Sequence, residues 1–327
     1  MTVAPGGDAG SGCPREPGEA AADRGDEDRP PAEKAGPRVV AVGGGHGLAA
    51  SITAVRRYAG HVTAIVSVAD DGGSSGRLRE ALGISPPGDI RRCLVALGDP
   101  DSLWGRAFEH RFEAGELEGH SLGNVVIAGL SAVGGDFLTA LDEAGRLVGV
   151  GDRGRVLPAT VTPVVLEAEG ENGTVRGQLA VATGTDVGRI KRVSISPPDA
   201  PPPAAALDAV READQVVLGP GSLFTSVLAA LAPTALLQAL ATTTAFRVYV
   251  CNLGPQEPEA SGYDAAGHLE ALLAHGVEVD AALFDPRFRP APGARLPVAV
   301  HLRDVARADG RGHDPVKLAG ALGDLLR

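Results

Sequence analysis

From residue 38 onward, short apolar runs end abruptly in glycine clusters, and each cluster opens a stretch with helical character. Val39–Val42 ends in Gly43-Gly44-Gly45-His46-Gly47, and a helix is expected over Leu48–Tyr58. Val62–Val68 ends in Asp70-Asp71-Gly72-Gly73-Ser74-Ser75-Gly76. Gln215–Leu218 ends in Gly219-Pro220-Gly221-Ser222, followed by a helix over Leu223–Leu231, and Arg247–Cys251 ends at Asn252. Continuous apolar runs without alternation are strands buried on both faces, as in a parallel sheet. The pattern predicts an α/β, Rossmann-like, doubly wound and mostly parallel sheet. In such a sheet the loops after the strands line the ligand crevice.

Two segments depart from this rhythm. Residues 1–37 are rich in Gly, Pro, Ala, Asp and Glu and nearly lack large apolar side chains. Such a segment cannot bury enough surface to offset its ordering entropy, so a disordered tail is expected. Thr160–Ser196 carries short β-rich runs and an Asn172-Gly173 turn signal. This predicts an antiparallel β-rich excursion, about residues 156–198, within one α/β domain over 38–327. Further helices are expected at Ser102–Phe112, Ser121–Val133, Leu207–Ala213, His268–His275 and Pro315–Leu326, with a late strand at Val298–His301.

Composition narrows the partners. A net charge of -11 and an aromatic content of 3% argue against a general nucleic-acid or anionic-membrane surface. Cys13, Cys93 and Cys251 have neither metal-ligand spacing nor the even count of a disulfide framework, which suits the reducing cytoplasm. The most apolar stretch, Val216–Ala241, is broken by Gly219, Pro220, Gly221 and Pro233, so no membrane span is expected there.

The loops suggest anion binding. Glycines let backbone amides approach a phosphate, and helix starts add unpaired donors and a positive dipole end. Gly45-His46-Gly47-Leu48-Ala49-Ala50 fits the dinucleotide pattern G-x-G-x-x-A, with Asp70 and Asp71 near the place of a ribose-binding acid. Such a pattern also arises as a plain strand-to-helix turn. Two carboxylates beside Gly72, Gly73, Ser74, Ser75 and Gly76 fit a divalent ion such as Mg2+, or ligand hydroxyls, better than a nicotinamide cofactor. A solvated turn with a capping Asp is the structural alternative. Arg77 and Arg91 are candidate phosphate partners. Gly88-Asp89 opens a helix, where Asp89 is either a cap or a ligand contact. Gly119-His120-Ser121-Leu122-Gly123-Asn124 opens another; Asn124 can donate and accept toward a base or an amide, and His120 is a further candidate. Ser222, Thr225 and Ser226 offer hydroxyls after the Gly219-Pro220-Gly221 turn. No Walker A lysine, G-x-S-x-G elbow or H-E-x-x-H motif is present.

At these residues the chain resembles the YvcK family, the gluconeogenesis factors. Gly43-Gly44-Gly45-x-Gly47-Leu48, Val68 to Arg79, Pro86-Pro87-Gly88-Asp89-Ile90-Arg91, His110-Arg111-Phe112, His120 to Asn124, Gly219 to Leu223 and Val250-Cys251-Asn252 carry the match in order. It covers roughly Arg38 to His275. The family is similar in fold to the 2-phospho-L-lactate transferases (CofD) of coenzyme F420 synthesis, which use a divalent metal. The resemblance implies a cytoplasmic regulatory protein that binds the nucleotide sugar UDP-N-acetylglucosamine and supports cell shape and peptidoglycan homeostasis. It also implies cell-envelope regulatory proteins as partners, and a homo-oligomer is the expected state. Tyr263, which matches the family, is a candidate uridine or sugar contact, as is Asn252. His46 departs from the usual threonine, and Gly254-Pro255 from a Met-Thr pair; Pro286–Leu296 is shortened. The competing readings are a metal-dependent phospho-lactyl transferase and an NAD-dependent oxidoreductase.

Overall fold

The structure is a computed structural model that describes residue 2 and residues 36–184 and 187–326. The expected tail, Cys13 included, lies outside the described residues except for Thr2, Gly36 and Pro37. Gly36 and Pro37 belong to the fold, because Pro37 O accepts the Gly60 amide at 3.0 Å.

The first half of the chain alternates as read. β1 (Arg38–Gly43), α1 (Gly45–Val55) and β2 (His61–Val66) form the opening unit, and α2 (Gly73–Leu82) and α3 (Gly88–Leu97) follow. Next come α4 (Leu103–Glu109), α5 (Leu122–Gly134), α6 (Phe137–Leu147) and β3 (Gly154–Pro158). β1 and β2 are buried along almost their whole length, which is why their sequences do not alternate. α3 buries Ile90, Cys93, Leu94 and Leu97, the spacing of one helical face.

The excursion is β4 (Val165–Gly170), β5 (Gly173–Arg176), α7 (Gln178–Thr183) and β6 (Ile190–Ser196). Its strands form a three-stranded antiparallel sheet in the order β5-β4-β6. β4 and β5 join through Glu171 and Asn172, one residue earlier than the Asn172-Gly173 signal suggests. β3 pairs in parallel with β2, so residues 156–158, expected in the excursion, belong to the main sheet.

The α/β pattern then resumes with α8 (Ala204–Arg211) and β7 (Gln215–Leu218). A π-helical segment, Leu223–Leu228, runs into α9 (Ala229–Leu231), and α10 (Thr234–Thr242) and β8 (Phe246–Val250) follow. α11 (Ala265–Ala274), β9 (Ala281–Phe284), β10 (Ala299–Leu302) and α12 (Pro315–Leu325) complete the described chain. The expected Leu223–Leu231 helix is thus part π-helix. Among the described residues no single helix is long and apolar enough to cross a membrane. The helices on either side of Pro233 bend by 77°.

The seven-stranded sheet has the order β10-β9-β8-β7-β1-β2-β3, and every pairing is parallel. Chain order runs outward from β1 in one direction and from β7 in the other. The switch point therefore lies between β1 and β7, where the loops after two neighbouring strands diverge and leave a crevice.

One core residue makes the fold acid-sensitive. His268 on α11 is fully buried, neither ring nitrogen has a hydrogen-bond partner among the described residues, and the ring meets Phe288 edge-on. Burial pushes its pKa down to about 4 from the usual 6.5. Between those values the unfolded chain binds the proton and the folded chain does not. Stability is therefore fully present above about pH 6.5 and is lost as pH falls, by about 3 kcal/mol at pH 4. His268→Leu should flatten this part of the stability–pH curve in urea titrations; an unchanged slope would reject the assignment.

Candidate functional site

A cavity of about 980 Å³ occupies the switch point. Four helices begin at its wall. In α1 the first intrahelical donor is Leu48, to Gly44 O, so the amides of Gly45, His46 and Gly47 stand outside the ladder, that of Gly45 bonded to the Asp89 carboxylate. In α2 the first is Gly76, to Gly72 O, which leaves Gly73, Ser74 and Ser75. In α3 it is Arg91, to Pro87 O, and in α5 it is Val125, to Ser121 O. Residues Gly45–Gly47, Gly73–Ser75, Gly88, Asp89 and Asn124 from these starts line the cavity. The positive dipole ends of several helices thus converge on one space, which favours an anion.

The two glycine turns at the switch point touch. A Cβ on Gly47 would overlap the Pro220 carbonyl and sit 2.8 Å from Gly221 Cα. On Gly44 it would sit 2.8 Å from Asp89 Oδ2. At Gly47 only glycine lets the two backbones approach.

A buried polar chain fixes the far wall. Arg91, only 2% exposed, pairs with Glu109 at 2.5 Å and donates to Phe108 O at 3.2 Å and to Asn124 Oδ1 at 3.1 Å. Asn124 Nδ2 donates to Ser74 Oγ at 3.0 Å, and Ser74 Oγ lies 3.0 Å from His120 Nδ1. Asn124 therefore spends one donor and one acceptor on its neighbours. His120 stands behind Ser74, outside the cavity lining.

The loop after β7 differs from expectation. Five of its amides are already engaged: Gly219 N–H to Val42 O, Gly221 N–H to Asn252 Oδ1, Leu223 N–H to Gln256 Oε1, and the Phe224 and Thr225 amides to Glu259 Oε1. Thr225 Oγ1 donates to Glu259 Oε2 at 3.0 Å. A carboxylate of the chain itself thus sits on this helix start. Gly221 and Ser222 still line the cavity, but Gly219, Pro220 and Thr225 do not. Asn252 also donates to Gly221 O, at 2.8 Å, so it holds the turn in place.

Asp71 is the other correction. Its two oxygens accept the Gln178 and Leu179 amides at 2.9 Å each, capping α7 and tying the excursion to the second glycine loop. Asp70, whose Oδ1 accepts the Gly72 amide at 3.0 Å, faces the cavity together with Asp89. Burial pushes the Asp89 carboxyl up, Arg92 beside it at 2.9 Å pulls it down, and Asp70 adds to the rise. The acidic pair in the cavity is thus Asp70 and Asp89, in place of the expected Asp70 and Asp71. His46, also in the lining, is pushed down by burial and by Arg92.

Tyr263 lies outside the cavity: its hydroxyl donates to Ile190 O at 2.6 Å and its ring meets Phe224 edge-on. Gly43 backs the first turn, and Gly76 and Arg77 face a neighbouring groove. The cavity also takes residues not among the expected contacts: Arg92, Arg111, Gln178, Gln256, Arg307, Arg311 and His313. Asp285, after β9, accepts the Val305 amide at 3.0 Å; Arg307 N–H then bonds to Gly312 O, and His313 Nε2 to Cys251 O at 3.2 Å. This turn brings Arg307 and Arg311 to the rim. None of the ion pairs among the described residues involves Arg111, Arg307 or Arg311.

The model of the CofD family, described as 2-phospho-L-lactate transferase, matches residues 39–292. The chain belongs to this family. It is 44% identical over 241 residues to the gluconeogenesis factor of Bacillus subtilis (strain 168), covering 73% of this chain and 75% of that protein. The gluconeogenesis factor of Halalkalibacterium halodurans is 45% identical over 239 residues, with coverages of 72% and 73%. A crystal structure of a UPF0052 family member from Bacillus halodurans matches with a TM-score of 0.80 and 37% identity, covering 87% of this chain and 97% of that chain.

Proposed function

We propose that the chain is a cytoplasmic regulatory protein that binds a nucleotide sugar, UDP-N-acetylglucosamine first among them, in the switch-point cavity. One observation carries the reading: several helix starts and three arginines that make no ion pair among the described residues, Arg111, Arg307 and Arg311, face a single space in a chain of net charge -11. Fixed dipoles and unneutralised guanidinium groups of this kind suit a diphosphate. The α1 start and the rim arginines hold the diphosphate, while Asn124 and the Gly221–Ser222 turn shape the space for base and sugar. The internal use of the donors after β7 moves the phosphate toward α1 and α2. Occupancy would then alter contacts with cell-envelope regulators of cell shape and peptidoglycan homeostasis, with the chain acting as a homo-oligomer.

Isothermal titration tests this reading: heat with UDP-N-acetylglucosamine supports it, and silence beside clear heat from another nucleotide rejects that ligand. The pH dependence adds a second check. An incoming diphosphate favours the imidazolium of His46, so binding takes up a proton. Affinity should rise from about pH 8 to about pH 6, by about tenfold for each unit that the ligand raises His46. His46→Thr should flatten this rise.

Asp70 and Asp89 favour a second reading, a metal-dependent phospho-lactyl transferase. Two carboxylates facing one cavity suit a divalent cation, and Mg2+ there would be completed by water and phosphate oxygens. Metal-dependent product from a lactyl-nucleotide donor and a deazaflavin, lost in Asp70→Asn, would establish it; no product with either protein would set it aside.

A further inference from the structure

A second groove of about 750 Å³ lies along α2 and shares Gly73, Ser74 and Arg111 with the lining of the main cavity. Its walls are α2 and the loop before α5. Arg77, Arg79 and Arg111 line it, with Asp71 and Glu80 as its carboxylates. Asp71 is already taken up by two α7 amides, so its charge is turned toward the excursion. No carboxylate lies within ion-pair distance of any of the three arginines among the described residues.

Two of the arginines are held in place. Arg77 donates to Glu118 O at 2.8 Å, and Arg111 donates to Gly119 O. A guanidinium has five N–H donors, and a neutral carbonyl satisfies one without cancelling the charge. Gly119, at φ +75°, is required here, because a Cβ would also sit 3.0 Å from Arg77 Nη2. Three like charges outnumber the two carboxylates of the groove, neither of which pairs with them among the described residues, and a multivalent anion relieves their repulsion.

We propose that this groove is a second anion site, which takes the phosphoryl group of a separate small molecule beside the nucleotide-sugar cleft. It stands on Arg77 and Arg79, which line this groove and not the main cavity, and does not require the main cavity to hold a nucleotide sugar. Arg111 belongs to both walls, so occupancy of one space changes the charge offered to the other. Three cations select phosphoryl over a single carboxylate.

The test is phosphorus NMR with inorganic phosphate, on the full chain with and without saturating UDP-N-acetylglucosamine. With the main cavity filled, one equivalent of phosphate should still bind. Arg79→Ala should weaken it by about tenfold, the loss of one charge-assisted contact, and Arg77→Ala with Arg79→Ala should remove it. Arg79→Lys, which keeps the charge, should recover part of the affinity, and thermal melting checks that each variant folds. No phosphate bound on the saturated protein, or equal affinity in the double variant, overturns the proposal. If UDP-N-acetylglucosamine itself does not bind, the nucleotide-sugar reading fails separately. Phosphate on the free protein then reports the groove through its sensitivity to Arg79 alone, and insensitivity rejects it.

Discussion

Gly47→Val is expected to cost about 3 kcal/mol or more in stability and to abolish ligand binding in the main cavity. The reason is geometric. A Cβ at this position would run into the Pro220 carbonyl and approach Gly221 Cα to 2.8 Å. Both are backbone, so no flexible side chain can give way. The α1 start and the turn after β7 would have to separate, at the junction of β1 and β7 in the sheet centre. Relief would therefore either break the β1–β7 pairing or tilt α1, and each moves the helix start away from the anion. Gly129→Ala is the control: a Cβ there meets nothing within 4 Å, on an exposed helix position. It should be neutral or stabilise by up to about 1 kcal/mol. Urea midpoints and titration heats read both effects. A Gly47→Val protein with wild-type stability and affinity would show that the two turns do not meet as described.

The sheet was readable in the sequence because buried parallel strands leave a continuous apolar signature. Val39–Val42 and Gln215–Leu218 sit side by side as β1 and β7, and their glycine turns meet at one rim. α2 was less legible. Its start, Gly73-Ser74-Ser75-Gly76, has the composition of a loop, and its buried residues are only Ser74 and Ser75. Hydrogen bonding to Asn124 and Gly88 holds it, where an apolar face would have announced it. α10 and β9 have no glycine cluster to mark them, and α6 follows Gly134-Gly135 without a preceding strand; none of the three is legible in the pattern. The roles of Asp70 and Asp71 could not be separated locally, because the amides that engage Asp71 lie more than a hundred residues away at Gln178 and Leu179. Arg307 and Arg311 follow no strand-end glycine. Their place depends on β10 joining β9 and on Asp285 catching Val305, which are tertiary events. The loop after β7 misled in the opposite sense: it looks like a phosphate cradle because its amides are bunched, yet Glu259 and Gln256 already occupy them.

That substitution leads to the second large effect. Glu259, 8% exposed, accepts from Phe224 N and Thr225 N at 2.8 Å each and from Thr225 Oγ1 at 3.0 Å. Glu259→Ala would leave three buried donors without a partner, each costing about 1–3 kcal/mol unless water enters. The expected loss is about 3–5 kcal/mol after partial relaxation. The carboxylate also sets the geometry of the π-turn, in which Ser222 O receives both the Ser226 and the Val227 amides, at 3.1 and 3.0 Å. Since Gly221 and Ser222 line the cavity, ligand affinity should fall along with stability. Glu259→Gln separates the causes. Its carbonyl can still receive both amides, and the Thr225 hydroxyl can turn to accept from the new NH2 group. What remains lost is the negative charge at a helix start, worth about 1 kcal/mol. Gln should therefore recover most of the stability and nearly all of the affinity in parallel urea and calorimetric titrations. If Ala proves as stable as the parent, solvent reaches these donors and the carboxylate is not what holds the turn. If Gln is as damaging as Ala, the charge itself holds the segment, and hydrogen-bond satisfaction does not explain why an acid stands where the sequence suggested a phosphate.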